Sequence, residues 1–203
     1  RDLTTDVLDN DGKPLWPNPL RKWKVRKAIS KAINRQAIVD RVMEGAAVPA
    51  SQLEGSFIYG HNPDLKVEPF DPEGAKKLLA EAGYPNGFQI TVRGPNDRYV
   101  NDGKVVEVVA QMLTRVGIKS KVATLPRSVY FGKMRRGGPM GTPGYSFALI
   151  GSGTDTGEGL SSAIAGLHTH MPEKNLGWVN RGRYSNVRVD ALLEKANVTL
   201  NDD

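Results

Sequence analysis

The sequence predicts an α/β fold in which a small mixed sheet is covered by helices, and three observations predict it. Apolar residues recur at helical spacing in several separate stretches, short apolar or alternating runs lie between them, and Gly, Pro and Asn/Asp residues punctuate the junctions. At 203 residues the chain can bury a sizeable core, and its length allows one large domain or two small ones. A hydrophobic content of 39% with 25% charged residues is ordinary for a globular protein, so disorder and low complexity are not expected.

Residues 1–20 are polar and carry Pro14, Pro17 and Pro19. They read as an extended lead-in from another domain, with residues 21–203 forming the main body. Val25, Ala28, Ile29, Ala32 and Ile33 predict a helix from Trp23 to about Ile33, and Gln36–Met43 a second, capped by Asn34. Asp71-Pro72-Glu73 is a clear helix start, with a capping carboxylate, Pro in the first turn and a second acid near the positive helix end. Ala75, Leu78, Leu79 and Ala82 form that helix's apolar stripe and Gly83 closes it. Phe88–Val92 alternates as a strand, the loop from Gly94 to Tyr99 follows, and Asn101 or Asp102 opens a long helix with Val105, Val106, Val108, Val109, Met112, Leu113 and Val116 inward. Ile118–Thr124 is the next strand, and Pro126 starts a helix running through Arg135. Near the end, Ser185 or Asn186 caps a helix carrying Val189, Leu192, Leu193 and Ala196.

The stretch of most chemical interest is Tyr145–Ser162. Tyr145–Ile150 is a short apolar run expected as a buried strand, followed by the turn Gly151-Ser152-Gly153-Thr154-Asp155 and a helix through Leu160 to about Gly166, with Thr154 or Asp155 as its N-cap. Ligands of open α/β sheets collect beyond the carboxyl ends of strands, where this turn supplies hydroxyls, one carboxylate and free amides. The same residues also read as a capped connection between two core elements, and the turn alone leaves both readings open. Arg98 and Tyr99 follow their own strand in the same way, so they are expected at the ligand-facing edge unless Arg98 is a solvated loop residue.

Several function classes lose support. Zero cysteines exclude disulfides, thiolate metal sites and a cysteine nucleophile. Three scattered histidines, at 61, 168 and 170, make a metal centre an unfavoured reading, with His61 expected in an exposed loop. Ser152 has no histidine near it in sequence, and Asp155 with Glu158 reads as a capping pair, so neither a nucleophilic nor a hydrolytic site is indicated and no cofactor is called for. The net charge of +6 raises the question of nucleic acid. The basic clusters Arg21–Lys27 and Lys133–Arg136 lack any zinc-finger, RRM or KH pattern, and solvated helix faces are the better reading. No run is long enough to cross a membrane. The chain opens at Arg1 without Met, so it is expected to be a piece of a longer protein.

The residues also carry a resemblance. Val25-Arg26-Lys27-Ala28-Ile29 through Asn34-Arg35-Gln36-Ala37-Ile38, Asn62-Pro63-Asp64-Leu65, Asp71-Pro72-Glu73 through Tyr84-Pro85, Gln111-Met112-Leu113 through Gly117-Ile118, and Gly182-Arg183-Tyr184-Ser185-Asn186 through Leu193 resemble the extracytoplasmic solute-binding protein family 5. These are the peptide, nickel and related binding proteins of ABC importers. The resemblance implies a periplasmic-binding-protein-like (type II) lobe, the C-terminal one of two that close on a ligand by a hinge. It implies a monomer that works outside the cytoplasm, docks on transporter permease subunits and binds a small, peptide-like solute without catalysis. Asp155 matches the aspartate that pairs with a ligand's α-ammonium in peptide-binding relatives, and Ser152 stands where many relatives carry Trp. Gly153 and Thr154 complete that turn, and Arg136 lies where some relatives place a ligand-facing arginine.

Overall fold

The computed structural model describes residues 6–136, 144–154 and 156–199, and of Arg135 and Arg136 it describes the main chain only. The chain forms two compact units, Arg1–Pro49 with Val67–Gly151, and Ala50–Lys66 with Ser152–Asp203. No helix among the described residues is long and apolar enough to cross a membrane.

The first unit is built on a three-stranded mixed sheet in the order β1 (Val7–Leu8), β2 (Phe88–Pro95), β3 (Ile118–Leu125). β1 runs antiparallel to β2 with Val7 opposite Ile90, and β2 runs parallel to β3 from Phe88–Ile118 to Pro95–Leu125. Phe88, Ile90 and Val92 are buried at alternating positions, as one face of a strand requires. They join one core with Val25, Ala28, Ile29 and Ala32 of α1 (Trp23–Ala32) and with Ala75, Leu79 and Ala82 on and just beyond α3 (Pro72–Glu81). Val106, Ala110, Leu113 and Val116, on and just beyond α4 (Asp102–Arg115), complete it. The short α2 (Arg35–Arg41) is capped by the Asn34 side chain, which accepts from Ala37 N.

Several sequence expectations hold at atomic detail. The Asp71 carboxylate accepts from Gly74 N at 2.8 Å, Pro72 opens α3, and Gly83 leaves it at φ +89°. The basic stretch before and within α1 is occupied inside the chain: Lys22 Nζ donates to Ala82 O, Lys24 pairs with Glu81, Lys27 with Glu68, and Arg26 donates to Leu20 O and Arg21 O. Exposed pairs of this kind contribute little stability. They do divert cations that phosphate binding would need.

Residues 6–20 are part of the first unit. Val7 is buried, and Asp6, 3% exposed, receives the Arg93 guanidinium with Nε at 2.9 and 3.0 Å from its two oxygens. Ser146 N also donates to Asp6 at 3.3 Å.

The expected strand Tyr145–Ile150 is a correction. Only Ala148 bridges, in parallel, to Arg93, through Arg93 N to Phe147 O and Leu149 N to Arg93 O. β1 already occupies the rest of that edge of β2, and Ile150 is exposed. β2 in turn runs on through Gly94 and Pro95, which the sequence suggested as loop, because β3 pairs with it in register to its end. Beneath the bridge, fully buried Tyr130 of α5 (Arg127–Arg136) donates to Leu149 O at 2.8 Å and stacks on Tyr145, and burial pushes its phenol pKa up.

The second unit contains α6 (Gly159–Leu167) and α7 (Val187–Val198), capped by Asn186. Leu192, one of the apolar residues that the sequence places on this helix, is exposed, and no residue of α7 is fully buried. Polar contacts hold this helix instead. His168, 1% exposed, lies with Nδ1 2.8 Å from Thr169 O and Nε2 3.3 Å from Glu194, while Asp190 accepts from Thr169 N and Oγ1. Both ring nitrogens face acceptors, and only the imidazolium can donate from both.

Asp6→Ala leaves a mostly buried guanidinium without its carboxylate and should cost roughly 3 kcal/mol in urea unfolding of the intact protein; a loss below about 0.5 kcal/mol, the range of an ordinary surface substitution, would mean that the pair does not hold β1 to β2. For His168, the Thr169 carbonyl, followed by Glu194 and Asp190, raises the pKa above the unfolded value of 6.5. Its contribution is therefore complete below that value and lost as pH rises through the folded one. The deficit in melting temperature of His168→Gln relative to the natural protein should shrink between about pH 6 and about pH 8; a deficit that grows with pH would contradict this assignment.

Candidate functional site

β2 delivers its carboxyl end into the loop Asn96–Asn101, which is fixed from several sides. Asn96 N donates to Leu125 O, Arg127 N to Asp97 Oδ1, and Arg98 N and Tyr99 N both to Asp102 Oδ2 at 2.9 and 3.0 Å. Burial alone would raise the Asp102 carboxyl pKa, but the amides of Tyr99, Arg98 and Gly103 outweigh it and hold the group below the usual carboxylate range. The loop therefore presents an exposed Arg98 whose guanidinium carbon lies 5.2 Å from the Tyr99 ring centroid. Asn101 adopts a left-handed conformation at φ 54° without capping α4 through its side chain, and its amide donates to Val42 O at 2.7 Å.

Gly151 N donates to the Tyr99 hydroxyl at 2.9 Å. A Cβ at Gly151 would lie 2.6 Å from the Tyr99 ring, so glycine is required there by close approach. Because Ala148 runs parallel to Arg93, both segments leave the sheet at the same end, and the Arg98–Tyr99 loop and Gly151 come together there.

Gly151 ends the first unit and Ser152 begins the next part of the second. Within the second unit, Ser152 and Gly153 are exposed, and nothing lies within 4 Å of a Cβ built on Gly153, so close approach is no reason for that glycine. Asp155 lies outside the described residues, as does the side chain of Arg136, the last residue of α5. Neither Thr154 nor Asp155 is the N-cap of α6. That position is held by Glu158, whose carboxylate accepts from Leu160 N at 2.6 Å and Ser161 N at 3.1 Å. The Thr156 hydroxyl first, then Ser161 and the two amides, hold the Glu158 pKa below its ordinary value. Thr154 is turned inward on the same network, donating to Glu158 O at 2.6 Å. The hydroxyl that the sequence offered to a ligand is thus used to shape the turn.

Sequence reasoning missed the strap that backs this turn. Tyr59 bridges in parallel to Glu158, and Gly159 N donates to Tyr59 O at 2.8 Å. His61, expected as an exposed loop residue, is half-buried with Nδ1 2.9 Å from Glu54 O. The arrangement offers an exposed guanidinium in the first unit and, in the second, a rigid polar turn. Among the described residues no group of three His, Asp or Glu side chains is placed to hold a metal ion.

Comparison with known proteins agrees with this architecture. The chain is 32% identical over 184 residues to heme-binding protein A of Haemophilus influenzae, covering 88% of this chain and 31% of that protein. It is 34% identical over 122 residues to the dipeptide-binding protein of Escherichia coli, covering 59% of this chain and 23% of that one. Among solved structures, the periplasmic binding protein DppA of Helicobacter pylori in complex with the peptide STSA superposes with a TM-score of 0.76 at 25% identity, covering 97% of this chain and 36% of that one. The chain thus spans about a third of the length of the relatives that it matches most fully. Residues 4–166 match the model of the bacterial extracellular solute-binding proteins, family 5 Middle, and the chain belongs to that family.

Proposed function

We propose that the intact protein is the substrate-binding component of an ABC importer, working outside the cytoplasm as a monomer and delivering a small, peptide-like solute to permease subunits without chemical turnover. The family match across residues 4–166 carries this reading. The parts of the chain described here would act as the C-terminal lobe, with residues 1–20 entering from the other lobe, and hinge closure would bury the solute between the two.

Within this reading, Arg98 and Tyr99 are proposed ligand contacts of the first unit. The guanidinium, exposed and backed by an aromatic ring on a loop that Asp102 fixes, suits a carboxylate of the solute. In the second unit, Ser152, Gly153 and Asp155 are the proposed ligand contacts, with Thr154 shaping the turn; Arg136, a residue of the first unit, is a separate proposed cationic contact. Asp155 is the residue assigned to the solute's ammonium. The resemblance supports that assignment, and the cap of α6 is supplied by Glu158.

This separates two variants of the full-length protein. A charge-assisted hydrogen bond in a closed cleft predicts that Asp155→Asn weakens binding of a dipeptide roughly ten- to a hundredfold in calorimetry, with the melting temperature unchanged. Glu158→Ala should behave in the opposite way, losing about 1 kcal/mol of stability with the cap. Lower stability and intact affinity in Asp155→Asn would move the recognition site elsewhere.

A further inference from the structure

Helix α7 is attached to its unit with little apolar burial. None of its residues is buried, and from Glu194 to Val198 every residue is exposed. The helix lies against α6, and its polar contacts come from two carboxylates one turn apart, Asp190 and Glu194, on one helix face. The two are not equivalent. Asp190 accepts from Thr169 N at 2.9 Å and from Thr169 Oγ1 at 2.6 Å, donors that do not titrate near neutral pH. Glu194 instead meets Nε2 of His168 at 3.3 Å.

His168 directly follows α6 and is 1% exposed, so its ring has little access to water. Nδ1 lies 2.8 Å from Thr169 O and 3.8 Å from Asp190, and the neutral Asn180 donates its amide to the His168 carbonyl, not to the ring. The groups that act on the charge of the ring are the Thr169 carbonyl, Glu194 and Asp190, and both carboxylates come from α7. A neutral imidazole carries one proton. Kept at Nδ1, where the Thr169 carbonyl is the nearer acceptor, it leaves a lone pair at Nε2 facing the Glu194 carboxylate. Two acceptors then oppose each other, and the half-exposed Glu194 side chain turns to water. Asp190 keeps its hold on Thr169 throughout, so the loss falls on the part of α7 beyond Leu193.

We propose that His168 and Glu194 form a proton-operated latch, in which the imidazolium fastens the C-terminal part of α7 to the end of α6 and its deprotonation releases that part while Asp190 keeps the first turns docked. Attachment favours the protonated ring, so the attached state holds the proton to higher pH than the detached one, and rising pH drives release. The device does not depend on which solute the protein carries.

The test is electron paramagnetic resonance on the full-length protein with a nitroxide attached through Val198→Cys, an exposed position at the end of α7. Between about pH 6 and about pH 8 the ratio of mobile to immobile label should rise about three- to tenfold, as local opening of a helix end requires. A label attached through Gln111→Cys, exposed on α4 in the first unit, should show no change. Glu194→Gln places an amide there that donates to a bare nitrogen or accepts from a protonated one, so the ratio should stay within about twofold across that range. His168→Gln, with nothing to titrate, should behave the same way, and Glu194→Gln tests the latch without altering the buried ring. An unchanged ratio at Val198 would overturn the proposal, and so would a rise that persists in Glu194→Gln or in His168→Gln, since another group would then be responsible. Equal mobilisation at Gln111 would overturn it too, because the opening would not be confined to α7.

Discussion

The first unit depends on what Arg93 does at the centre of β2. Its amide and carbonyl hold Phe147 and Leu149 on one edge of the strand, its guanidinium grips Asp6 ahead of β1, and its guanidinium carbon lies 4.9 Å from the Tyr145 ring centroid. One residue thus brings together three segments far apart in the chain. Desolvating an ion pair is costly, so the Asp6–Arg93 contact is better understood as specifying this arrangement than as a large source of net stability. The alternation of β2 explains how both functions coexist: Ile90 and Val92 point into the apolar core, and Arg93, next along, points to the other face.

The placement of the Arg98–Tyr99 loop and of Gly151 follows from that hub. Tyr130 donates to Leu149 O at the point where the segment leaves its bridge with β2, so the chain enters Gly151 along a fixed line. Tyr99, arriving from β2 itself, meets it there through Gly151 N. The Arg98 loop is held by the buried Asp102, whose carboxylate is spent on backbone amides. Buried acceptors of this type fix a loop by satisfying donors that would otherwise be stranded.

The sequence made the regular elements legible because their causes are local. Asp71-Pro72-Glu73 announces a helix start through capping and a preset backbone angle, and the stripes of α1, α3 and α4 announce buried faces. What escaped was decided by distant partners. Asp6 and Arg93 are 87 positions apart, and nothing near either one signals the other. The run Tyr145–Ile150 has strand composition, but composition does not reveal that β1 already holds most of the edge that it would need. Glu158 was passed over as a cap because shorter side chains are preferred there, and Thr154 and Asp155 precede it. Leu192 fits the helical stripe of α7, yet that helix is held by His168, Asp190 and Glu194, a polar attachment that hydrophobic periodicity cannot register.

Glu158 also shows how the turn before α6 is held in place. The hydroxyls of Thr154 and Thr156 are engaged within the turn, Thr154 donating to Glu158 O and Thr156 to the Glu158 carboxylate. A turn stabilised only by its future ligand contacts would have to break them or reorganise on binding, and that ordering cost reduces affinity. Here the internal network and the strap through Tyr59 fix the backbone in advance. The Gly153 carbonyl is drawn into the same arrangement, accepting from Ser162 Oγ at 3.4 Å. Rigidity in this unit comes from polar cross-links more than from apolar burial: among its described residues Ser162, His168 and Asn180 are buried polar groups, and Ala165 is the buried hydrophobic one.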